Sequence, residues 1–427
     1  AEWVVSIYLI VVCALLLLFG KLGDIYGKIR VFKIGSLLFI IGSLLSGFSV
    51  GLPFLLIARS IQAVGAAMTM STNNGIITEV FPFKERGRAL GMIGSFVALG
   101  SIAGPGIGGL ILAHLSWGYI FWINVPVGIL AMILGAMILP KDVTTTQQPL
   151  DKTGAGLFAV LMVALFAGVF IGQQIGFLQP VILALFAVAI VTLIIFVRVE
   201  LRHENPLLAL QLFKNACFSI SILCALLIFI ANFFFNVIAP FYLENARGLA
   251  ANYAGYALMV FPIVQVVVAP IAGTISDKIG PELLTFVGLV LISISQVGYM
   301  VVGLATPLWF FLLFVGLVGF GNGIFMAPNN SIVMSSVAVK DLGVAGGINA
   351  LARELGMIVG ISVATTVLYS AMSQSAGYKV TSYLPAHPEI FIDGMHIAFM
   401  VSLVICLVAT VITGGRLLNH PRTAPAK

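Results

Sequence analysis

The stretch "GKLGDIYGKIR", residues 20–30, interrupts an almost wholly apolar opening with one acid, three bases and three glycines. Its first eight residues recur as "GTISDKIG" at 273–280, sharing G-x-x-x-D-x-x-G at a spacing of 253 residues. A longer pair, "STNNGIITEVFPFKERGRALG" (71–91) and "APNNSIVMSSVAVKDLGVAGG" (327–347), lies at a spacing of 256. It aligns Asn73 with Asn329, Asn74 with Asn330, Lys84 with Lys340, Glu85 with Asp341, Gly87 with Gly343, Ala89 with Ala345 and Gly91 with Gly347. Two independent matches at nearly one spacing describe a parallel internal duplication, an arrangement in which two halves surround a central site.

The setting of these repeats is a membrane. The chain is 60% hydrophobic and 8% charged over 427 residues, where soluble domains carry roughly 25% charge. Thirteen segments approach or exceed the ~20 apolar residues that a ~30 Å hydrocarbon core requires: 3–20, 31–49, 53–80, 90–114, 117–140, 153–174, 179–199, 217–242, 252–275, 283–304, 307–336, 342–371 and 391–415. Of the 21 Lys and Arg, all but Arg59, Arg247, Arg353 and Lys379 fall on one side when alternate loops are assigned to it. That side, with the C-terminus, is expected to be cytoplasmic. The net charge of +6 is then a topology signal, and no nucleic-acid partner is expected. Cys13, Cys217, Cys224 and Cys406 show no paired spacing, so neither a disulfide framework nor a metal site is indicated.

Eight spans separate equivalent points of the duplication, so two six-helix halves with two extra central helices are expected. The boundaries fall at 1–140, 141–205 and 206–427. The second Asp-Gly link follows two helices and the first follows one, which places a further helix upstream of Ala1. The expectation is an all-α integral membrane protein with thirteen of fourteen helices present.

A charged, glycine-rich link lets the backbone turn sharply. Asp24 can accept hydrogen bonds from a neighbouring helix N-terminus, and Lys28 and Arg30 can reach carboxylates. With Gly20, Gly27, Glu79 and Asp277 these residues make a candidate cytoplasmic latch; the competing reading is a solvated, positively charged turn. "GKLGDIYGKIR" resembles the loop signature of the major facilitator superfamily, departing from it at Ile25, where a base is usual. "LLIARSIQAVGAA" (55–67) resembles that family's fourth-helix motif with an intramembrane Arg, and "GSIAGPGIGGLI" (100–111) its fifth-helix antiporter motif. "SWGYIFWINVPVG" (116–128) resembles the sixth-helix start of the fourteen-helix drug/proton antiporter branch, with Gly118 where an Arg is usual. The resemblance covers essentially the whole chain. It implies the major facilitator fold and export of small amphipathic or lipophilic compounds across the plasma membrane, driven by proton entry, by a monomer without cofactors.

The motifs also have physical readings of their own. Gly100, Gly104 and Gly108 form a ridge that admits another helix closely, and Pro105 removes one ladder bond; Gly109 completes this motif. The ridge is either plain helix packing or a hinge and seal. Arg59 lies six residues inside its span, ~9 Å along the helix, where a base normally faces a cavity or partner. Gln62 shares its face. Glu354 lies ~18 Å inside its helix, where desolvation favours an acid that titrates near neutral pH. Neighbouring Arg353 points ~100° away along the helix, so the two need not pair. These three are candidates for proton coupling, against an alternative in which they only hold helices together. Glu79, Asp277 and Asp393 lie at span ends, where they are better solvated. Phe235, Met259, Phe325, Asn232, Asn236, Gln265 and Gln296, with Gln62, are candidates for an adaptable substrate cavity.

Three other classes compete. A facilitator or importer of one metabolite is disfavoured by the Gly-Pro motif. A membrane-embedded enzyme is disfavoured by scattered histidines and the lack of nucleophile–base or metal-ligand spacing. An ATP-driven pump lacks its G-x-x-x-x-G-K-[ST] loop.

Overall fold

The computed structural model describes residues 2–48, 50–142, 149–380 and 382–419; the side chains of residues 2, 83, 101–103, 105, 106, 109, 110, 112, 113, 173, 174, 251 and 419 lie outside that description. The described residues form helices α1 (Glu2–Tyr26), α2 (Lys28–Gly47), α3 (Leu52–Val80), α4 (Arg86–His114), a short α5 (Tyr119–Trp122) and α6 (Asn124–Ile138). There follow α7 (Lys152–Ile175), α8 (Pro180–Glu200), α9 (Ala216–Phe241), α10 (Ala251–Ile279), α11 (Pro281–Val301), α12 (Leu308–Ser335), α13 (Leu342–Ala376) and α14 (Pro388–Asn419). Each of the thirteen expected spans coincides with one of these helices, α5 and α6 together making the fifth. Twelve segments satisfy length and hydropathy for crossing a bilayer among the described residues. The remaining long helix, α4, has 29 residues.

The helices group into two compact units. Unit 1 is Ala1–Val80, Ile107–Ser219 and Met334–Glu354, and unit 2 is Phe81–Gly106, Ile220–Val333 and Leu355–Lys427. In unit 1, α3 packs on α1 and α2, α6 lies on α2, and the inserted helices α7 and α8 pair with each other while α7 docks on α1. In unit 2, α11 packs along α14, and an apolar core gathers rings from four helices around Tyr299, which contacts Phe235, Phe311 and Phe399 at 5.5, 5.7 and 4.7 Å between centroids. The outer surfaces are apolar: Val127, Leu130 and Met137 of α6 are all exposed. That is the pattern of a bundle solvated by lipid, where burial of apolar surface does not drive helices together and close packing and polar contacts do.

The sequence duplication is a duplication of geometry. Gly27 and Gly280, the last residues of the repeated octet, have φ of 102° and 93°. Glycine enters that region without the Cβ clash that other residues meet, and each begins the next helix immediately. The longer repeat folds in both copies as a 3₁₀ turn, Phe83–Glu85 and Val339–Asp341, leading into a long helix.

Where the two motifs meet, glycine backbones touch. A Cβ on Gly20 would lie 2.5 Å from the Gly343 carbonyl oxygen, and one on Gly343 would lie 2.3 Å from that of Gly20. In the other copy, a Cβ on Gly273 would lie 2.2 Å from the Gly87 oxygen, and one on Gly87 would lie 2.6 Å from that of Gly273. Both crossings depend on missing side chains. Gly343→Val and Gly273→Val should therefore each cost about 1–3 kcal/mol, the usual penalty for overpacking. Lower apparent unfolding temperatures for the purified variants in detergent would register the cost; an unchanged melt would contradict the crossing.

Candidate functional site

The glycine crossings bring an aspartate to each helix start. Asp24, one turn after Gly20, accepts hydrogen bonds from the backbone N–H groups of Gly343 and Val344 at 2.8 and 2.9 Å, in the first turn of α13. Asp277, one turn after Gly273, accepts from Gly87 and Arg88 at 2.8 and 3.0 Å, in the first turn of α4. Each repeat's aspartate thus caps the helix that opens the other repeat's second motif, at equivalent residues. The first N–H groups of a helix have no partner within it and carry its positive dipole end, so a carboxylate there satisfies donors and charge together.

The two copies differ in their surroundings. Lys28 is almost fully buried and lies 3.1 Å from Asp24 Oδ1 and 3.4 Å from Glu79 Oε2. In the second copy Pro281 stands at the position of Lys28 and Ser335 at that of Glu79, and Asp277 is only half-buried. Arg30 does not join the ion pairs through its exposed side chain; its backbone N–H and that of Ile29 donate to Asp142 at 3.0 and 2.8 Å. Asp142 thereby caps α2 in the same manner. Sequence reasoning passed over it, because a lone acid in a polar connection carries no signal until the chain folds back.

A second polar set lies inside the helices of unit 1. Arg59 donates to the Val4 carbonyl at 3.2 Å and to Gln62 Oε1, and Gln62 donates onward to Ser43 Oγ at 2.7 Å. The guanidinium sits over the ring of Tyr8 at 4.3 Å and that of Phe121 at 5.4 Å, which stabilises a partly desolvated cation. Glu354 is 7% exposed. The expectation that Arg353 and Glu354 need not pair is corrected: Arg353 Nε and Nη2 both lie 3.2 Å from Glu354 Oε1. The long guanidinium arm reaches back across the helix surface, which the ~100° offset between their Cβ atoms does not prevent. Tyr8 of α1 thus lies against Arg59 of α3. Tyr8 is a polar signal in an apolar helix, but its cationic partner comes from α3 and no spacing announces it.

The glycine ridge differs from expectation. Gly100 and Gly104 are exposed, and a Cβ on Gly100, Gly104 or Gly108 would meet no described atom within 4 Å. Pro105 and Gly109 lie outside the described side chains. Several residues expected to line a cavity are packed within helix bundles instead. Gln62 is spent on Arg59, Phe235 and Phe325 belong to the unit 2 core, and Asn232 and Asn322 exchange side-chain hydrogen bonds at 2.7 and 3.0 Å. Gln296 is fully buried. Asn236 is exposed, and Met259 and Gln265 are half-buried.

A duplicated helical bundle with reciprocal aspartate caps and a charged network at membrane depth defines a class of polytopic membrane transport protein. The chain belongs to the Major Facilitator Superfamily, whose sequence profile matches residues 1–361; this is a family of transporters and not of enzymes. Among relatives, the riboflavin transporter RibZ of Clostridioides difficile is 32% identical over 413 residues, covering 96% of this chain and 88% of that protein. Multidrug resistance protein 3 of Bacillus subtilis is 30% identical over 410 residues, covering 92% and 79%. The solved structure of the proton:xylose symporter XylE superposes with a TM-score of 0.66 at 14% identity, over 97% of this chain and 85% of that one, which is a likeness of fold.

Asp24→Asn retains one acceptor oxygen for two amides and leaves Lys28 facing Glu79 alone. Loss of a charge-assisted bond in a buried setting should cost roughly 1.5–3 kcal/mol, and Asp277→Asn, at a half-exposed site without a lysine, should cost less. Thermal melts of the two purified variants decide this; equal losses would show that the Lys28 ion pairs add nothing.

Proposed function

We propose that this protein is a proton-coupled antiporter of the fourteen-helix drug/proton branch, exporting small lipophilic or amphipathic compounds, drugs and toxic metabolites among them, by alternating access as a monomer. Glu354 carries this reading. It is an acid buried about 18 Å along α13 and paired to the Arg353 guanidinium on its own helix. When Glu354 takes up a proton its ion pair with Arg353 is lost, and the guanidinium, whose side chain is 35% exposed, must find another partner, so proton uptake is coupled to helix contacts. Arg59 and Arg353 tune that uptake. The Asp24 and Asp277 caps act as latches that engage when the helix starts of α13 and α4 come to them and release when they leave. Both belong to connections that the Lys and Arg bias of the sequence assigns, with the C-terminus, to the cytoplasmic side of a plasma membrane. The bare glycine face of α4 offers a surface that a second helix or a substrate can approach. Asn236, Met259 and Gln265 are the cavity candidates that remain accessible.

Relatives named as multidrug resistance proteins support the export reading. The riboflavin transporter among the relatives favours a second one, a facilitator or importer of a single metabolite. Efflux of a dye panel from cells expressing the protein, with and without a protonophore, separates the two. Outward dye movement that collapses with the proton gradient is expected; inward riboflavin uptake indifferent to the gradient would favour the alternative.

Glu354→Gln keeps the shape and a hydrogen bond to Arg353 but cannot titrate. It should reduce gradient-driven efflux to the level of cells without the transporter while leaving membrane insertion intact, and Glu354→Asp should retain partial efflux with a shifted pH profile. Export by Glu354→Gln at the parent rate with the same pH dependence would place the coupling acid elsewhere.

A further inference from the structure

The inserted helix pair carries a second meeting of acids, outside the motifs above. Asp151 caps α7 and Glu200 closes α8, and they are 1% and 3% exposed. Each spends one oxygen on backbone: Asp151 Oδ1 accepts from Gly154 N–H at 2.8 Å, and Glu200 Oε2 accepts from Leu208 N–H at 2.8 Å. The other two oxygens, Asp151 Oδ2 and Glu200 Oε1, are buried without a hydrogen-bond partner among the described residues. Both face one point. A Cβ on Gly154 would lie 2.3 Å from Glu200 Oε1 and 2.5 Å from Asp151 Oδ2, so the missing side chain at Gly154 is what lets the two acids converge.

Two ionised carboxylates cannot share such a place cheaply, because burial and like charge both oppose the second ionisation. A cation is a poor remedy. The neighbouring Gly154 and Leu208 N–H groups already present positive ends to the pair, and no cluster of three or more metal-ligating side chains occurs among the described residues. A single proton satisfies both orphaned oxygens at once. We propose that Asp151 and Glu200 bind one proton between them, Glu200 Oε1–H donating to Asp151 Oδ2, and that this shared proton clasps the start of α7 to the end of α8. The site is independent of the transport reading and of Glu354.

The charged groups acting on Glu200 are Asp151 and His203. His203 comes from the segment after α8, with Nε2 3.9 Å from Asp151 Oδ1, while Lys152, Arg198 and Arg202 are exposed. On release the O–H bond breaks, the proton passes to water and two carboxylates remain face to face. In an opened clasp Glu200 is solvated and titrates near the ordinary value of about 4.3. The closed clasp therefore binds the extra proton, and its stability is greatest at low pH and falls as pH rises.

The test is amide hydrogen exchange of the purified full chain in lipid nanodiscs, followed in peptides covering residues 149–156 and 198–210 and corrected for intrinsic rates. Protection in the parent should fall with rising pH, approaching tenfold per pH unit where one proton is lost. Glu200→Gln donates permanently from its amide to Asp151 and still accepts from Leu208, so it should hold the low-pH protection at every pH. His203→Gln should keep the parent's pH dependence. Exchange in α9 to α14 serves as the check that both variants are folded. A pH-independent parent, a Glu200→Gln variant that follows the parent or is unprotected throughout, or a flat His203→Gln profile would each overturn the proposal.

Discussion

Two backbone N–H groups at a helix start need an acceptor, and in this protein a carboxylate from another helix supplies it. The reach is short. Asp24 meets Gly343 and Val344, and Asp277 meets Gly87 and Arg88, only because a glycine one turn earlier lets two backbones touch. In lipid, apolar surface adds little to helix association, so these contacts and the glycine crossings beneath them carry weight that a hydrophobic core would carry in water. The octet G-x-x-x-D-x-x-G is then a complete instruction: one glycine for the approach, the aspartate for the cap, the last glycine for a positive φ that starts the next helix.

The two copies of that instruction have been used differently. Around Asp24, a buried lysine and a second acid neutralise the carboxylate and fix it. Around Asp277 those positions are proline and serine, and the cap stands with fewer partners. A buried ion pair is costly to assemble and costly to break, so the first copy is the stiffer of the two. Asp142 adds a third cap, on α2, and ties the connection after α6 to the same end of unit 1.

Charge deeper in the helices is handled by sharing. Arg59 lies over Tyr8 and Phe121 and is held by Gln62, which is held by Ser43. Glu354 is neutralised by the arginine beside it. Neither charge is left alone in a medium that would penalise it.

The helices, their number and the duplication were legible in the sequence, because the length of an apolar run and the spacing of a repeat are one-dimensional quantities set by bilayer thickness and by common ancestry of the halves. So was the pairing of Arg59 with Gln62, since three residues along a helix is a contact distance. What only the tertiary structure decided is which long-range partner each polar group meets. Asp142 against α2, Tyr8 against Arg59 and Asn232 against Asn322 join elements far apart in the chain, Asp151 and Glu200 meet at opposite ends of a helix pair, and no local rule orders them. The cavity candidates divided for the same reason. A phenylalanine or an amide has the same pattern on a lipid face, in a core or beside a cavity, and packing alone turned Phe235 and Gln296 inward while leaving Asn236 exposed.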